Sequence, residues 1–227
     1  MREINLLFHR NLTARYIKKK FRDKIEHKII ASLKGKDFYD GNRKYGYGGY
    51  RYDKRWEPIA KRIKKKFNIR SNDKILHINC DKGFFLYEIK KLIPKCKIIG
   101  LESSKYAIEH SKKEIKNKIF LNEGWKLNYA DKSFDFIFAP GYIYEFNIRD
   151  AVKALKEIRR VSKNKKNIYI SLGSYDTEQD LKKMKHWSLL GTTLLKKEDW
   201  KKILKFCKYD GFYEFNNAKK LNLKYLK

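Results

Sequence analysis

Short apolar runs alternate with amphipathic stretches between Asn72 and Gly173. The runs are rich in β-branched and aromatic residues, and the stretches between them repeat apolar residues at helical spacing. The runs are "KILHI", "KIIGLE", "KIFLNE", "SFDFIFA" and "NIYISLG", and the stretches are "GFFLYEIKKLIP", "SKYAIEHSKKEI" and "IRDAVKALKEIRRVS". Strands that alternate with helices in this way predict an α/β fold, a doubly wound parallel sheet with helices on both faces.

The chain before these units has two parts. In "YIKKKFRDKIEHKIIASLKG" apolar residues recur about every four positions and Gly35 follows, which predicts a helix packed on the main domain, with a membrane-surface helix as the alternative. Those apolar residues are Tyr16, Phe21, Ile25, Ile29 and Leu33. Residues 38–56 hold four glycines and five tyrosines, which favours an ordered loop that covers another part of the protein.

A further helix is predicted from about Pro58 to Phe67, because proline suits the first turn of a helix. We therefore divide the chain into an N-terminal extension, residues 1–56, which contains the basic helix and the tyrosine- and glycine-rich segment, and a main domain, residues 57–227.

The net charge of +30 raises the question of a nucleic-acid partner. Of the 56 basic residues only 12 are arginine, the residue that phosphate forks and base edges favour. Lysine, isoleucine, asparagine and tyrosine are all abundant, as a genome poor in G and C would produce without a polyanionic partner. A nucleic-acid partner therefore stays an alternative that the composition does not favour.

Cys80, Cys96 and Cys207 are widely spaced and form no CxxC pair, which is typical of a reduced, cytoplasmic protein without a metal site. No apolar run reaches the ~18 residues of a membrane span. The N-terminus shows neither the long apolar region nor the cleavage site of a secretion signal.

Ligands of a doubly wound sheet bind at the carboxyl ends of its strands. The first such loop, "NCDKG", lacks the GxGxxG pattern, which argues against a nicotinamide or flavin dinucleotide. Glu102 ends the second strand, where an acid commonly binds two ribose hydroxyl groups. The segments that follow the strands are Asn79–Gly83, Glu102, Asn122–Trp125, Ala139–Glu145 and Ser171–Tyr175.

Four features follow one another along the chain: this loop, the acid after strand two, the acid-glycine pair after strand three, and "ADKSFDFIFAPG". In their order the chain resembles the class I S-adenosylmethionine-dependent methyltransferases. The resemblance runs from about Trp56 to Phe215, with local pieces such as "FYDGNRKYGYGGYRYD", "ALKEIRRV" and "EDWKKILKFCKYDGFYEF". It implies a Rossmann-like, mostly parallel sheet of seven strands, with an antiparallel strand late in the chain at "GFYEFN".

The resemblance also implies S-adenosyl-L-methionine as the cofactor. His77 stands where the family has an acid, and Asn79 and Asp81 replace two glycines of the loop. Asn and Asp tolerate left-handed backbone angles better than other non-glycine residues, so we expect the turn to survive, although their side chains add bulk. The cofactor-binding candidates are Tyr50, His77, Asn79, Cys80, Asp81, Gly83, Glu102, Ser103, Glu123, Gly124 and Ala139.

The acceptor side of the family usually follows strand four. Related members tend to carry Asn and His where this chain has Gly141 and Tyr144, so an imidazole base is absent there. The candidate catalytic residues are Tyr142, Tyr144, Glu145 and His186. The predicted function is methyl transfer to a small-molecule or saccharide acceptor. The alternatives are a non-catalytic binding or regulatory protein on the same fold and an RNA methyltransferase.

Overall fold

The computed structural model describes residues 1–7, 14–17 and 25–226. The strands are β1 (Arg2–Glu3), β2 (Arg15–Ile17), β3 (Lys74–Ile78), β4 (Lys97–Glu102), β5 (Ile119–Leu121), β6 (Phe136–Ala139), β7 (Ile168–Tyr175), β8 (Leu195–Lys196), β9 (Phe212–Asn216) and β10 (Leu223–Tyr225). The α-helices are α1 (Ile25–Ser32), α2 (Lys36–Tyr39), α3 (Glu57–Phe67), α4 (Phe84–Leu92), α5 (Lys105–Glu109), α6 (Ile148–Val161), α7 (Glu178–Trp187) and α8 (Lys197–Phe206). Two 3-10 helices span Lys113–Lys118 and Ile143–Glu145.

Seven strands form the main sheet in the order β1-β9-β7-β6-β3-β4-β5, and the short β8 pairs with the end of β7. β3 has β4 on one side and β6 on the other, and both pairings are parallel. The chain therefore reverses its direction of winding at β3, and the carboxyl end of this strand lies at the switch point where such sheets bind ligands. The prediction of a parallel, Rossmann-like sheet is confirmed.

The prediction of a late antiparallel strand at "GFYEFN" is wrong. β9 pairs with β7 in parallel, Tyr169 beside Phe212 and Gly173 beside Asn216. α8 lies between the two strands in the chain, and a strand-helix-strand crossover returns the chain in the same direction. β1 then adds in parallel to the outer side of β9.

The apolar side chains of β3 alternate between the two faces of the sheet. Leu76 and Ile78 belong to the core shared with α6 and α8, whereas Ile75 belongs to the core shared with α3 and α4. The near-continuous apolar runs of the sequence follow from this burial on both faces.

The helix predicted in the N-terminal extension is only partly confirmed. Tyr16 lies in β2, Phe21 lies outside the described residues, and Ile25, Ile29 and Leu33 are 70%, 56% and 75% exposed. α1 instead buries His27 and Ala31. The prediction that the four-residue apolar spacing marks the packing face is therefore wrong.

The N-terminal end of the chain is fixed by a buried acid. The fully buried carboxylate of Glu214 accepts hydrogen bonds from the backbone N–H groups of Leu6 and Leu7, at 2.8 and 3.2 Å. The Lys220 ammonium lies 2.6 Å from the same carboxylate and supplies its counter-charge. Glu214 lies in β9, so these hydrogen bonds hold the start of the extension against the main domain.

None of the helices in residues 1–7, 14–17 and 25–226 combines the length and the apolar composition that a membrane crossing needs. In those same ranges, no three His, Cys, Asp or Glu side chains converge as a metal site requires.

Candidate functional site

The loop after β3 keeps the backbone of a glycine-rich turn. Asn79, Asp81 and Gly83 have φ angles of 60°, 50° and 73°, so all three positions are left-handed. The expectation that Asn and Asp replace the conformation of glycine is confirmed. Gly83 has a second reason to lack a side chain, because a Cβ atom there would lie 2.5 Å from the side chain of Ile115.

The Glu102 carboxylate holds this loop in place. Its oxygens accept hydrogen bonds from the backbone N–H groups of Asp81 at 2.7 Å and of Ser103 and Ser104 at 2.9 Å each. The Ser104 side chain caps α5 by accepting a hydrogen bond from the Ala107 N–H. Glu102 is only 1% exposed, and its carboxylate contacts the backbone of this loop and of the start of α5.

Lys34 from the N-terminal extension enters the site between the strand ends. Its Nζ donates hydrogen bonds to Glu145 Oε2 at 2.8 Å and to Asn79 Oδ1 and Ser103 Oγ at 3.2 Å each. Burial opposes the charge of this ammonium group, but the nearby carboxylates of Glu145, Glu102 and Asp81 outweigh the burial and raise the pKa of Lys34. Lys34 therefore stays charged.

Two cavities meet at this lysine. The smaller has a volume of about 150 Å³ and the larger a volume of about 370 Å³. Lys34, Asn79 and Glu145 line both cavities and form the wall between them. The smaller one is further lined by Ile78, Leu101, Ser103, Asn122, Gly124, Tyr142 and Phe146. The larger one is further lined by Arg15, Phe38, Arg43, Gly46, Tyr47, Arg55, Asp81, Tyr144, Trp187, Ser188, Leu189, Leu190 and Gly191.

The tyrosine- and glycine-rich segment covers the loop after β3. The hydroxyl groups of Tyr39 and Tyr47 donate hydrogen bonds to the two carboxylate oxygens of Asp81, at 2.9 and 3.1 Å. Lys82 Nζ lies 2.6 Å from Asp40 Oδ2 and ties the segment to the same loop. The expectation of an ordered, covering loop is confirmed.

Several predicted cofactor residues lie in the core and do not line the described walls of either cavity. His77 is 2% exposed and packs its ring against Phe85 and Phe138. Among the described residues its ring nitrogens have no hydrogen-bond partner, and burial lowers the pKa of His77 to about 3. The others are Tyr50, Cys80, Gly83, Glu102 and Ala139, of which Tyr50 stacks on Phe84.

The acidic candidate after β5 also points elsewhere. Glu123 is exposed, and among the described residues its neighbours Asn122 and Gly124 line the smaller cavity in its place. Tyr142 donates a hydrogen bond from its hydroxyl to the Gly124 carbonyl at 3.0 Å and so bounds this cavity.

The catalytic candidates separate into two groups. Tyr144 and Glu145 line the larger cavity, and burial raises the pKa of both. His186 lies apart, with its Nδ1 3.1 Å from the Tyr225 hydroxyl, and it lines neither cavity among the described residues. α7 directs the imidazole of His186 towards β10, away from the cavity that the next residue, Trp187, lines.

The basic residues of the site are not among those that the sequence predicts. Lys34 is one of 44 lysines and follows no motif, and its entry into the site depends on the turn after α1. Arg15, Arg43 and Arg55 reach the larger cavity from distant parts of the extension. Arginine is scarce in this chain, and three of its 12 arginines lie at this one cavity. This scarcity is the only feature of the sequence that could have drawn attention to them.

Residues 69–209 match a family of methyltransferase domains. A search of curated proteins found no match to the chain. Among solved structures, one similar chain comes from the complex between the Haloferax volcanii Trm112 methyltransferase activator and a methyltransferase, with a TM-score of 0.57, 15% identity, and coverage of 81% of this chain and 76% of that one. Another is the YcgJ protein of Bacillus subtilis, with a TM-score of 0.50, 16% identity, and coverage of 65% of this chain and 66% of that one.

Substitution of Asn79 tests the left-handed turn. Asn79→Ala and Asn79→Gly both remove the amide, but only glycine adopts φ near 60° without steric cost. We expect Asn79→Ala to be less stable than Asn79→Gly by about 0.5–1 kcal/mol in urea unfolding. This holds even though alanine lowers the conformational entropy of the unfolded chain relative to glycine, an effect that by itself favours the alanine variant.

The matched control is the same pair of substitutions at Asn122, a cavity residue that is not left-handed. There we expect the opposite order, with glycine less stable than alanine by roughly 0.5 kcal/mol. If the alanine variant were the less stable of the two at both positions, or the more stable at both, the left-handed angle of Asn79 would not explain the difference.

The pH dependence of stability tests Asp81. Burial raises the pKa of Asp81 to about 7, and the nearby Glu102 carboxylate adds to this effect. The hydroxyl groups of Tyr39 and Tyr47 and the charge of Lys34 limit the rise. The folded state therefore binds more protons than the unfolded state between about pH 4 and pH 7, and stability falls as the pH rises through this window. We expect Asp81→Asn to lose about 3 °C less in Tm than the wild type between pH 5 and pH 8.

Asp199→Asn serves as the control, since Asp199 is an exposed acid paired with Lys202. Its pH profile should follow the wild type. A profile of Asp81→Asn that also follows the wild type would show that Asp81 titrates normally.

Proposed function

Because the chain belongs to the class I S-adenosylmethionine-dependent methyltransferase family, we propose that it transfers a methyl group to a small-molecule or saccharide acceptor held in the larger cavity. The observation that carries this proposal is the pair of cavities that meet at Lys34, Asn79 and Glu145, above the switch point of the sheet. One cavity suits a nucleoside and the other an acceptor.

The residues of the smaller cavity fit the nucleoside of S-adenosylmethionine. Ser103 follows β4, Asn122 and Gly124 follow β5, and together they offer a hydroxyl, an amide and an open backbone to ribose and base. A volume of about 150 Å³ lies below the ~300–1,000 Å³ that enclose whole ligands, so this cavity holds only part of the cofactor. The left-handed Asn79 and Asp81 then lie along the methionine portion.

When bound, S-adenosylmethionine would supply a methyl group on its sulfonium sulfur. A lone pair of the acceptor would bond to the methyl carbon, and the electron pair of the broken carbon–sulfur bond would stay on sulfur. The residues of this chain position the acceptor and exclude water. Glu145 lies on the wall between the cavities, and burial raises its pKa against the opposing effect of Lys34. We propose Glu145 as the group that receives a proton from the acceptor where the acceptor has one to lose.

Lys34 has to leave this wall before a ligand can extend from one cavity into the other. Its ammonium group holds hydrogen bonds to Asn79, Ser103 and Glu145, and all three residues line the smaller cavity. The same contact favours the second candidate function, a non-catalytic protein whose cofactor site is closed by its own lysine.

A cytoplasmic, reducing location belongs to the same proposal. It is supported by the three widely spaced cysteines, all of which are buried and unpaired as disulfides.

Calorimetry with S-adenosylhomocysteine tests the cofactor site. We expect binding to the wild type and its loss in Ser103→Phe, because the added ring fills the smaller cavity. Ser71→Phe is the control, since Ser71 is exposed and precedes β3 at the opposite end of the sheet. Absence of binding to folded wild-type protein would overturn the enzyme proposal in favour of the non-catalytic one.

Substitution of Lys34 tests the wall. We expect Lys34→Met to bind S-adenosylhomocysteine about fivefold more tightly, on the order of 1 kcal/mol, because no ion pair has to be broken on binding. Lys36→Met, an exposed lysine two residues later, should leave the affinity unchanged. Weaker binding by Lys34→Met would instead mean that the ammonium contacts the cofactor.

A further inference from the structure

The larger cavity has walls of opposite charge. Its acids, Asp81 and Glu145, come from the loops that follow β3 and β6 in the main domain. Its arginines, Arg15, Arg43 and Arg55, come from the N-terminal extension. An acceptor in this cavity therefore meets carboxylates on the side of the sheet and guanidinium groups on the side of the extension.

The acids have local partners that reduce their influence on a ligand. Glu145 pairs with Lys34 at 2.8 Å, and Asp81 accepts the hydroxyl groups of Tyr39 and Tyr47. Lys34 and Glu145 cancel each other, and Arg55 has Asp53 as its partner, so Arg15 and Arg43 face the one remaining carboxylate, that of Asp81. Among the described residues, the lining of this cavity therefore carries a net positive charge.

The guanidinium groups are held in fixed positions. Arg43 donates a hydrogen bond to the Gly46 carbonyl, Arg55 pairs with Asp53, and Arg15 lies over the Trp187 ring with 6.0 Å to its centroid. A planar fork that is already ordered loses little entropy when it binds an oxyanion. These contacts suit Arg15 and Arg43 to bidentate recognition, whereas the fork of Arg55 already binds the Asp53 carboxylate and contributes its charge.

The three groups also act on each other. Burial lowers the pKa of Arg15, and the positive charges of Arg43 and Arg55 lower it further. Like charges that face one cavity destabilise each other, and a bound anion would relieve that repulsion.

We propose that the acceptor carries a phosphate group, which Arg15 and Arg43 bind on the wall of the larger cavity formed by the extension, with Arg55 beside them. The inference rests on the proposed methyltransferase function and names its substrate class, a phosphorylated small molecule. The charge polarity orients this molecule, with its phosphate towards the extension and its methyl-accepting atom towards Glu145 and the end of β6. The phosphate is a handle for binding and takes no part in the bond that forms.

Pyrophosphate is the probe, because it presents phosphate oxygens without the unidentified remainder of the acceptor. Its affinity is measured by calorimetry on the full chain as wild type, Arg15→Gln, Arg15→Lys and Arg70→Gln. Arg70 is exposed and lies before β3, at the opposite end of the sheet, so Arg70→Gln makes the same change in net charge away from the cavity. This control is needed because a net charge of +30 attracts small anions to the whole surface.

We expect Arg15→Gln to weaken pyrophosphate binding about tenfold, Arg15→Lys to weaken it less, and Arg70→Gln to leave it unchanged. Equal affinities of Arg15→Gln and Arg70→Gln would overturn the proposal, since the binding would then be diffuse. Tight binding of a single-stranded RNA that pyrophosphate does not displace would also overturn it, in favour of an RNA acceptor.

Binding of S-adenosylhomocysteine is measured on the same four proteins. Unchanged affinity in Arg15→Gln shows that the fold and the cofactor site are intact, so that a loss of pyrophosphate binding is local. If neither the wild type nor any variant binds S-adenosylhomocysteine, the proposed function is wrong, whatever the pyrophosphate result. If all bind it and Arg15 has no effect on pyrophosphate, only the phosphate inference fails.

Discussion

The site depends on the hydrogen bonds of one buried carboxylate. Glu102 accepts the backbone N–H groups of Asp81, Ser103 and Ser104, and so joins the loop after β3 to the end of β4 and the start of α5. Charge-assisted hydrogen bonds of this kind are about twice as strong as neutral ones. They hold the left-handed Asn79 and Asp81 in place, although each of these residues adopts a backbone angle that glycine would adopt more easily.

The N-terminal extension completes what the sheet begins. The parallel strands supply acids and backbone at their carboxyl ends, and the extension supplies the cations and aromatic rings that face them. Lys34 is one of the contacts between the two parts, and its ammonium group lies among residues that follow β3, β4 and β6. An opposing pair of charged walls is a means of orienting a polar substrate as well as binding it.

His77 and the predicted apolar face of α1 are placed differently in the structure from what the sequence predicts. His77 stands in the place of a family acid, yet it packs between Phe85 and Phe138 on the far face of β3, where an imidazole is tolerated as a neutral ring. Ile25 and Ile29 recur at helical spacing, yet they are exposed while His27 and Ala31 are buried. Periodicity identifies a face of a strand or helix, but the packing partner decides whether that face is buried.

The sequence by itself determined the elements from β3 to β7, their parallel arrangement, and the ability of Asn79 and Asp81 to adopt left-handed angles, because these depend on local composition, spacing and the handedness of crossovers. Only the tertiary structure decided the direction of β9, the entry of Lys34 and the meeting of Arg15, Arg43 and Arg55. These features join residues far apart in the chain, and long-range electrostatic and packing contacts leave no periodic signal in a sequence so rich in lysine.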